Sequence, residues 1–321
     1  MGHMKRLRLL TLLCIVGIFL LPGCGTSTTN NTAKAQIGTW KTAQTIQPYL
    51  YDQYVEGTEI DVLPFTNPGD MKAALVAGDL NMCGTTLATA ITAASRGEPV
   101  VVVSSLCQKC SALVVRKDSD ITTPADLKGK KIAYVPGTMH HILLLETLNK
   151  ARLDPQKDVE LKRIDFFDME QALAQGDIDA FCSGEPYPSL AVTKGYGRIL
   201  SYPYYDESIG AINAGMMTTR EQIEKNPELI QQLVTAQARA TEYFNQHPDE
   251  WLAMAEKFGT QREVLDVSAN NIELTWDMNQ KYIQQATVLA QRMKELGVIN
   301  EVPNMEKLFD MRFVEQARKE L

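Results

Sequence analysis

Residues 71–83, Met-Lys-Ala-Ala-Leu-Val-Ala-Gly-Asp-Leu-Asn-Met-Cys, are echoed by residues 169–182, Met-Glu-Gln-Ala-Leu-Ala-Gln-Gly-Asp-Ile-Asp-Ala-Phe-Cys. Each copy reads as a helix, a Gly-Asp turn and a short strand that ends beside a cysteine. The shared Met, Ala-Leu and Gly-Asp positions point to two lobes of similar construction. The two cysteines fall one position out of register, so the echo describes architecture and does not define a site.

The segments around these copies alternate between strand and helix. Residues 35–40, 59–65, 80–83 and 100–104 read as strands, the last a continuous β-branched run of the kind found in buried parallel strands. Helices are expected over 45–54, over 70–77 with a stop at Gly78, and from Thr85 to about Ser95. Asp126 to His141 reads as a turn, a strand over 131–135, a Pro-Gly break and the start of a leucine-rich helix. A strand that feeds a helix this way leaves free N–H groups at the helix start, at the sheet edge where α/β proteins bind ligands. Residues 111–117 and 211–218 read as strands that link the lobes. Beyond Thr219 the chain turns almost wholly helical, with a long amphipathic segment over 271–296, and Trp251 and Trp276 at core spacing. Alternating elements of this kind call for an α/β fold with mainly parallel sheets.

The chain opens with Lys5, Arg6 and Arg8, then an apolar run from Leu9 to Leu21 that is short for a membrane span. This is the layout of a secretory leader. Its ending, Leu21-Pro22-Gly23-Cys24, resembles the lipobox of bacterial lipoproteins, which implies a signal peptide over 1–24 and a lipidated Cys24. Residues 25–34 form a polar tether. The net charge is −7, and removing the basic leader leaves the rest more acidic still, which argues against nucleic acid as a partner. Six cysteines then reduce to Cys83, Cys107, Cys110 and Cys182, in a compartment where disulfides are possible. Cys107-Gln108-Lys109-Cys110 is spaced to chelate a soft metal, exchange electrons or close a small disulfide.

An ordered series of segments carries a family likeness: Ser111 to Asp118, Pro124 to Ile132, Gly137 to His141, Gly176 to Ala180, Gly184-Glu185-Pro186, and Glu224 to Leu229. It resembles the solute-binding proteins of ABC importers in the nitrate, sulfonate and taurine branch, which includes binders of thiamine-pyrimidine precursors. The resemblance implies the two-lobed type II periplasmic binding protein fold, with two crossing strands and a helical C-terminal part. Lobe 1 is expected over 35–114 and 215–321, and lobe 2 over 115–214. It also implies a monomer, an ABC permease as partner, no cofactor and no catalysis. A fungal pyrimidine synthase of the same fold carries a contiguous cysteine run that this chain lacks. Together with the lipobox, the likeness implies a location outside the cytoplasm, anchored to the membrane by lipid.

The same resemblance implies a ligand site on five loops. It is composed of Trp40, Thr42, Cys83, Thr85, Thr86, Cys107, Cys110, Thr138, Met139, His140, Cys182, Glu185 and Tyr187. Cys83, Cys107, Cys110 and Cys182 are soft donors, and their expected convergence suggests a thiophilic metal, metalloid or organometal ligand. Helix starts near Cys83 and Cys107 are expected to lower their thiol pKa. The alternatives are a small organic anion or thiamine-pyrimidine precursor beside a Cys107–Cys110 disulfide, and a redox or metal-buffering lipoprotein.

Overall fold

The computed structural model describes residues 33–321. The expected leader over 1–24, Cys24 and most of the 25–34 tether lie outside the described residues.

Two sheets organise the fold. The first draws on β1 (Ala33–Thr39), β2 (Thr58–Pro64), β3 (Met82–Thr86) and β4 (Val100–Lys109). The second is built from β5 (Ser111–Arg116), β6 (Lys131–Tyr134), β7 (Glu160–Arg163), β8 (Ala180–Gly184) and β9 (Gly197–Ser201). The chain then returns to the first sheet as β10 (Ile212–Thr219) and β11 (Ile272–Leu274). Strand order is β11-β4-β10-β3-β1-β2 in one sheet and β7-β6-β8-β5-β9 in the other. This is the two-lobed α/β architecture of type II periplasmic binding proteins, with a parallel core in each sheet.

The repeated segments occupy equivalent places. Helix α1 (Pro68–Ala77) leads into β3, which pairs parallel with β1 and antiparallel with β10. Between them, the helix α2 (Leu87–Ser95) and the helix α3 (Met139–Lys150) follow β3 and β6. Helix α4 (Phe166–Gln175) leads into β8, which pairs parallel with β6 and antiparallel with β5. Both helices stop at a left-handed glycine, Gly78 at φ 87° and Gly176 at φ 79°. The Asp79 and Asp177 N–H groups then donate back to Ala74 and Ala172, closing the same C-terminal motif twice.

Direction is where the strands depart from expectation. The apolar run from Val100 is buried, yet β4 is antiparallel to both β10 and β11. A continuous β-branched run reports burial on both faces and carries no information on the direction of its neighbours. The helix expected over 45–54 is two 3-10 turns, Ala43–Thr45 and Gln47–Gln53, and Pro48, which has no N–H to donate, stands in the first turn of the second. The long helix expected from Asn271 instead begins at Gln280, capped by Asn279, and the segment before it forms the edge strand β11. Trp251 and Trp276 are buried as core.

The chain passes from the first sheet to the second at Cys110 and returns through residues 202–211. These passages lie a few residues before the boundaries expected at 114/115 and 214/215. Lys109 and Cys110 both take φ 60°, a left-handed conformation that side chains resist. Surrounding hydrogen bonds hold it. Lys109 N–H donates to Ala211 O at 2.8 Å and Cys110 N–H to Asn271 O at 2.6 Å. In return, Asn213 Nδ2 donates to Lys109 O at 2.6 Å and Glu185 N–H to Cys110 O at 2.8 Å.

Candidate functional site

A cavity of about 60 Å³ lies where the two sheets present their strand ends to one another. From the first lobe it is lined by Trp40, Thr42, Thr85 and Thr86, with Cys107 at the end of β4 and Cys110 at the crossing. From the second lobe come Thr138, His140, Glu185 and Tyr187. The other expected residues do not reach it: Met139 packs into the core of the first lobe, while Cys83 and Cys182 lie inside the separate cores of the two lobes.

Thr86 and Thr138 are helix caps. Thr86 Oγ1 accepts from Thr89 N–H at the start of α2, and Thr138 Oγ1 accepts from His141 N–H at the start of α3. Helix α2 therefore begins after Thr86, and Thr85 belongs to β3. The second lobe supplies an aromatic wall. Phe166 stacks on Tyr187 with ring centroids 6.2 Å apart and meets the edge of His140 at 5.6 Å. Trp40 closes over Phe166 from the opposite lobe at 6.1 Å and donates its indole N–H to Gly84 O at 3.3 Å.

His140 is set by a chain of hydrogen bonds. Asn213 Nδ2 donates to Ser111 Oγ at 3.1 Å, and Ser111 Oγ in turn shares a hydrogen bond of 2.8 Å with His140 Nδ1. Burial lowers the His140 pKa to about 4, so the ring is neutral at pH 7. Glu185 is 1% exposed, and burial raises its pKa. Opposing that shift, Asn271 Nδ2 donates to one carboxylate oxygen at 3.1 Å and Ser189 N–H to the other at 3.2 Å. Among the described residues, no lysine or arginine lines the cavity. Lys109 instead pairs with Glu273 at 3.0 Å, and Lys41 lies over the Phe258 ring.

The four-cysteine metal site is not formed. All four cysteines are buried free thiols, and no group of three or more His, Cys, Asp and Glu side chains suited to a metal occurs among the described residues. The expected loops are in fact strand ends: β3 continues through Cys83 to Thr86, β4 through Cys107 to Lys109, and β8 through Cys182 to Gly184. Strand geometry sends Cys83 and Cys182 into their own lobes. Burial pushes both thiols up to about 12, which at Cys83 is the reverse of the lowering expected from a nearby helix start. Cys110 is also pushed well above its ordinary value, by its hydrogen bond with Cys107 and by burial. No disulfide joins Cys107 and Cys110. Native protein should therefore react slowly with a thiol reagent at Cys83 and Cys182 at pH 7.5, and fully once unfolded. Rapid native labelling at Cys83 or Cys182 would contradict this placement.

Three further residues bear on the chemistry of the cavity: Gln44, Phe166 and Asn213. Gln44 stands two positions beyond the expected Trp40–Thr42 loop, a signal that a wider window catches. Phe166 belongs to Asp165-Phe166-Phe167-Asp168, an aromatic pair at a helix start. Nothing local distinguishes its buried ring from that of Phe167, which is half exposed.

A family model described as NMT1/THI5 like matches residues 54–251. The chain belongs to this family. A formylaminopyrimidine-binding protein of Halalkalibacterium halodurans is 24% identical over 269 residues, covering 78% of each chain. An aliphatic sulfonates-binding protein of Escherichia coli (strain K12) is 28% identical over 210 residues, which is 65% of this chain and 64% of that protein. The chain thus spans less than two thirds of that relative's length. In fold it is similar to the alkanesulfonate-binding protein SsuA from Xanthomonas axonopodis pv. citri, with a TM-score of 0.78 at 20% identity, covering 87% of this chain and 98% of that one.

Proposed function

We propose that this NMT1/THI5-like protein is the extracytoplasmic binding component of an ABC importer. In this reading it takes up a small heteroaromatic amine of the pyrimidine-precursor type between its lobes and presents it to a permease. Cys24 would tether it to the membrane through lipid. The observation that carries the ligand class is the cavity lining: aromatic rings from both lobes, a buried Glu185, and no lysine or arginine. Trp40 and the Phe166–Tyr187 pair offer a flat ring apolar surface to pack on at the cavity, and an amino group suits a carboxylate.

The competing reading is an oxyanion such as a sulfonate, favoured by the α2 and α3 starts at the cavity. Two helix starts would have to outweigh a carboxylate that the fold already buries there, with no cationic side chain to help. The test is thermal melting with 4-aminopyrimidine, taurine, methanesulfonate and nitrate, each over a range of concentrations. A ligand at about 100 times its dissociation constant adds roughly 2.7 kcal/mol, a clear upward shift in melting temperature. The aminopyrimidine is expected to give that shift. A shift with the oxyanions alone would overturn the proposal.

A further inference from the structure

Gln44 joins the two lobes and leaves one hydrogen-bonding atom unused. It lies on the 3-10 turn Ala43–Thr45 of the first lobe and is 8% exposed. Its Nε2 donates across the cleft to the main-chain oxygen of Glu185 at 2.6 Å. That oxygen only accepts, so it fixes which way the amide is turned. Oε1 is therefore committed as an acceptor, and it is buried with no hydrogen-bond partner. Thr85 Oγ1, 3% exposed, is also without a partner. Both residues line the same cavity. Buried polar groups of folded proteins are almost always paired, and leaving one unmet is costly. Two unmet groups on residues that line one cavity point to the complement of what fills it.

We infer that Gln44 determines specificity in this cleft: its amide oxygen accepts from an N–H on the ligand while its amide nitrogen fastens the closed lobes. This rests on the proposed pyrimidine-type ligand and adds a requirement to it. A ring that fits the aromatic wall but offers no donor leaves Oε1 unpaired and binds weakly. Nitrate and sulfonate oxygens only accept, so they meet Gln44 Oε1 with repulsion. Selection against them is then built from an acceptor, with no need for a blocking side chain. Glu185 also favours an amine, so the contribution of Gln44 has to be read separately from it.

The experiment is calorimetric titration of the purified protein with 4-aminopyrimidine and with 4-methylpyrimidine, which has the same shape but no N–H. The wild type is expected to prefer the amine by about tenfold or more, the scale of one unpaired buried acceptor. Gln44→Met, similar in length and without an acceptor, is expected to reduce the preference sharply, toward the part that Glu185 supplies. Gln44→Leu serves as a second apolar variant. The ratio of the two ligands within each variant cancels any general loss from weaker lobe closure. A preference unchanged in folded Gln44→Met or Gln44→Leu, or absent from the wild type, overturns the role of Gln44 alone. If the wild type binds neither pyrimidine, the inference falls together with the proposed function.

Discussion

Replacing Gly184 by alanine should unseat His140, lower stability by about 1–3 kcal/mol and weaken binding of 4-aminopyrimidine at least about tenfold. A Cβ at Gly184 would stand 2.7 Å from His140 Nε2 and 2.8 Å from its Cε1. The ring has little freedom to yield. Ser111 holds Nδ1, Phe166 packs edge-on against it, and the side chain is 6% exposed. The open direction is the cavity, which at about 60 Å³ has little room for a displaced imidazole and a ligand together. Denaturant melts and calorimetry of Gly184→Ala check both effects. The double variant Gly184→Ala, His140→Ala separates them, because with the ring gone the added methyl meets no obstacle. Its stability should then match that of His140→Ala alone to within a few tenths of a kcal/mol. A full additive loss in the double variant would show that the Gly184–His140 contact is not the cause.

Mild acid should also destabilise the fold. Burial lowers His140 and His141 to about 4, against about 6.5 for an unfolded histidine. Between those values the unfolded chain binds protons that the folded one refuses, so stability falls as the pH drops from 6.5 toward 4. The gap corresponds to about 3 kcal/mol per histidine, reached at the low end of the window. Glu185 acts the other way. Its raised pKa lets the folded state take up a proton before the unfolded one does, which adds stability as the pH falls toward 4.5. Comparing the wild type with His141→Gln isolates the histidine contribution from this opposing one. Urea midpoints at pH 7, 6, 5 and 4.5 measure it. His141→Gln preserves an acceptor for Gly137 N–H, which donates to His141 Nδ1 at 3.3 Å, and should remove about half of the histidine contribution. A His141→Gln midpoint that falls as steeply as that of the wild type between pH 7 and 4.5 would refute the burial argument for His141.

Local chemistry in the chain determined a good deal. The Met71 and Met169 copies specified two like units, because a helix stop at Gly78 or Gly176 and the strand after it depend on neighbours in sequence. The caps at Thr86 and Thr138 lie at strand-to-helix turns for the same reason. Cavity positions such as Trp40, Glu185 and Tyr187 were legible through family likeness joined to the rule that α/β ligands sit at strand ends.

Tertiary structure decided the rest. Cys83 and Cys182 looked like neighbours in a shared cleft, but each lies on a strand whose pleat turns its side chain into its own lobe. A side-chain direction of that kind depends on strand register, which is set by partners far away in the chain. The antiparallel setting of β4 depends on β10, which arrives only after the second lobe is complete. Gln44, Phe166 and Asn213 are ordinary residues in the sequence. They acquire meaning because lobe closure sets Gln44 against the Glu185 carbonyl, Phe166 against Trp40, and Asn213 against Ser111 and Lys109. Contacts between groups that far apart in the chain are made only when both sheets are in place, and no local periodicity encodes them.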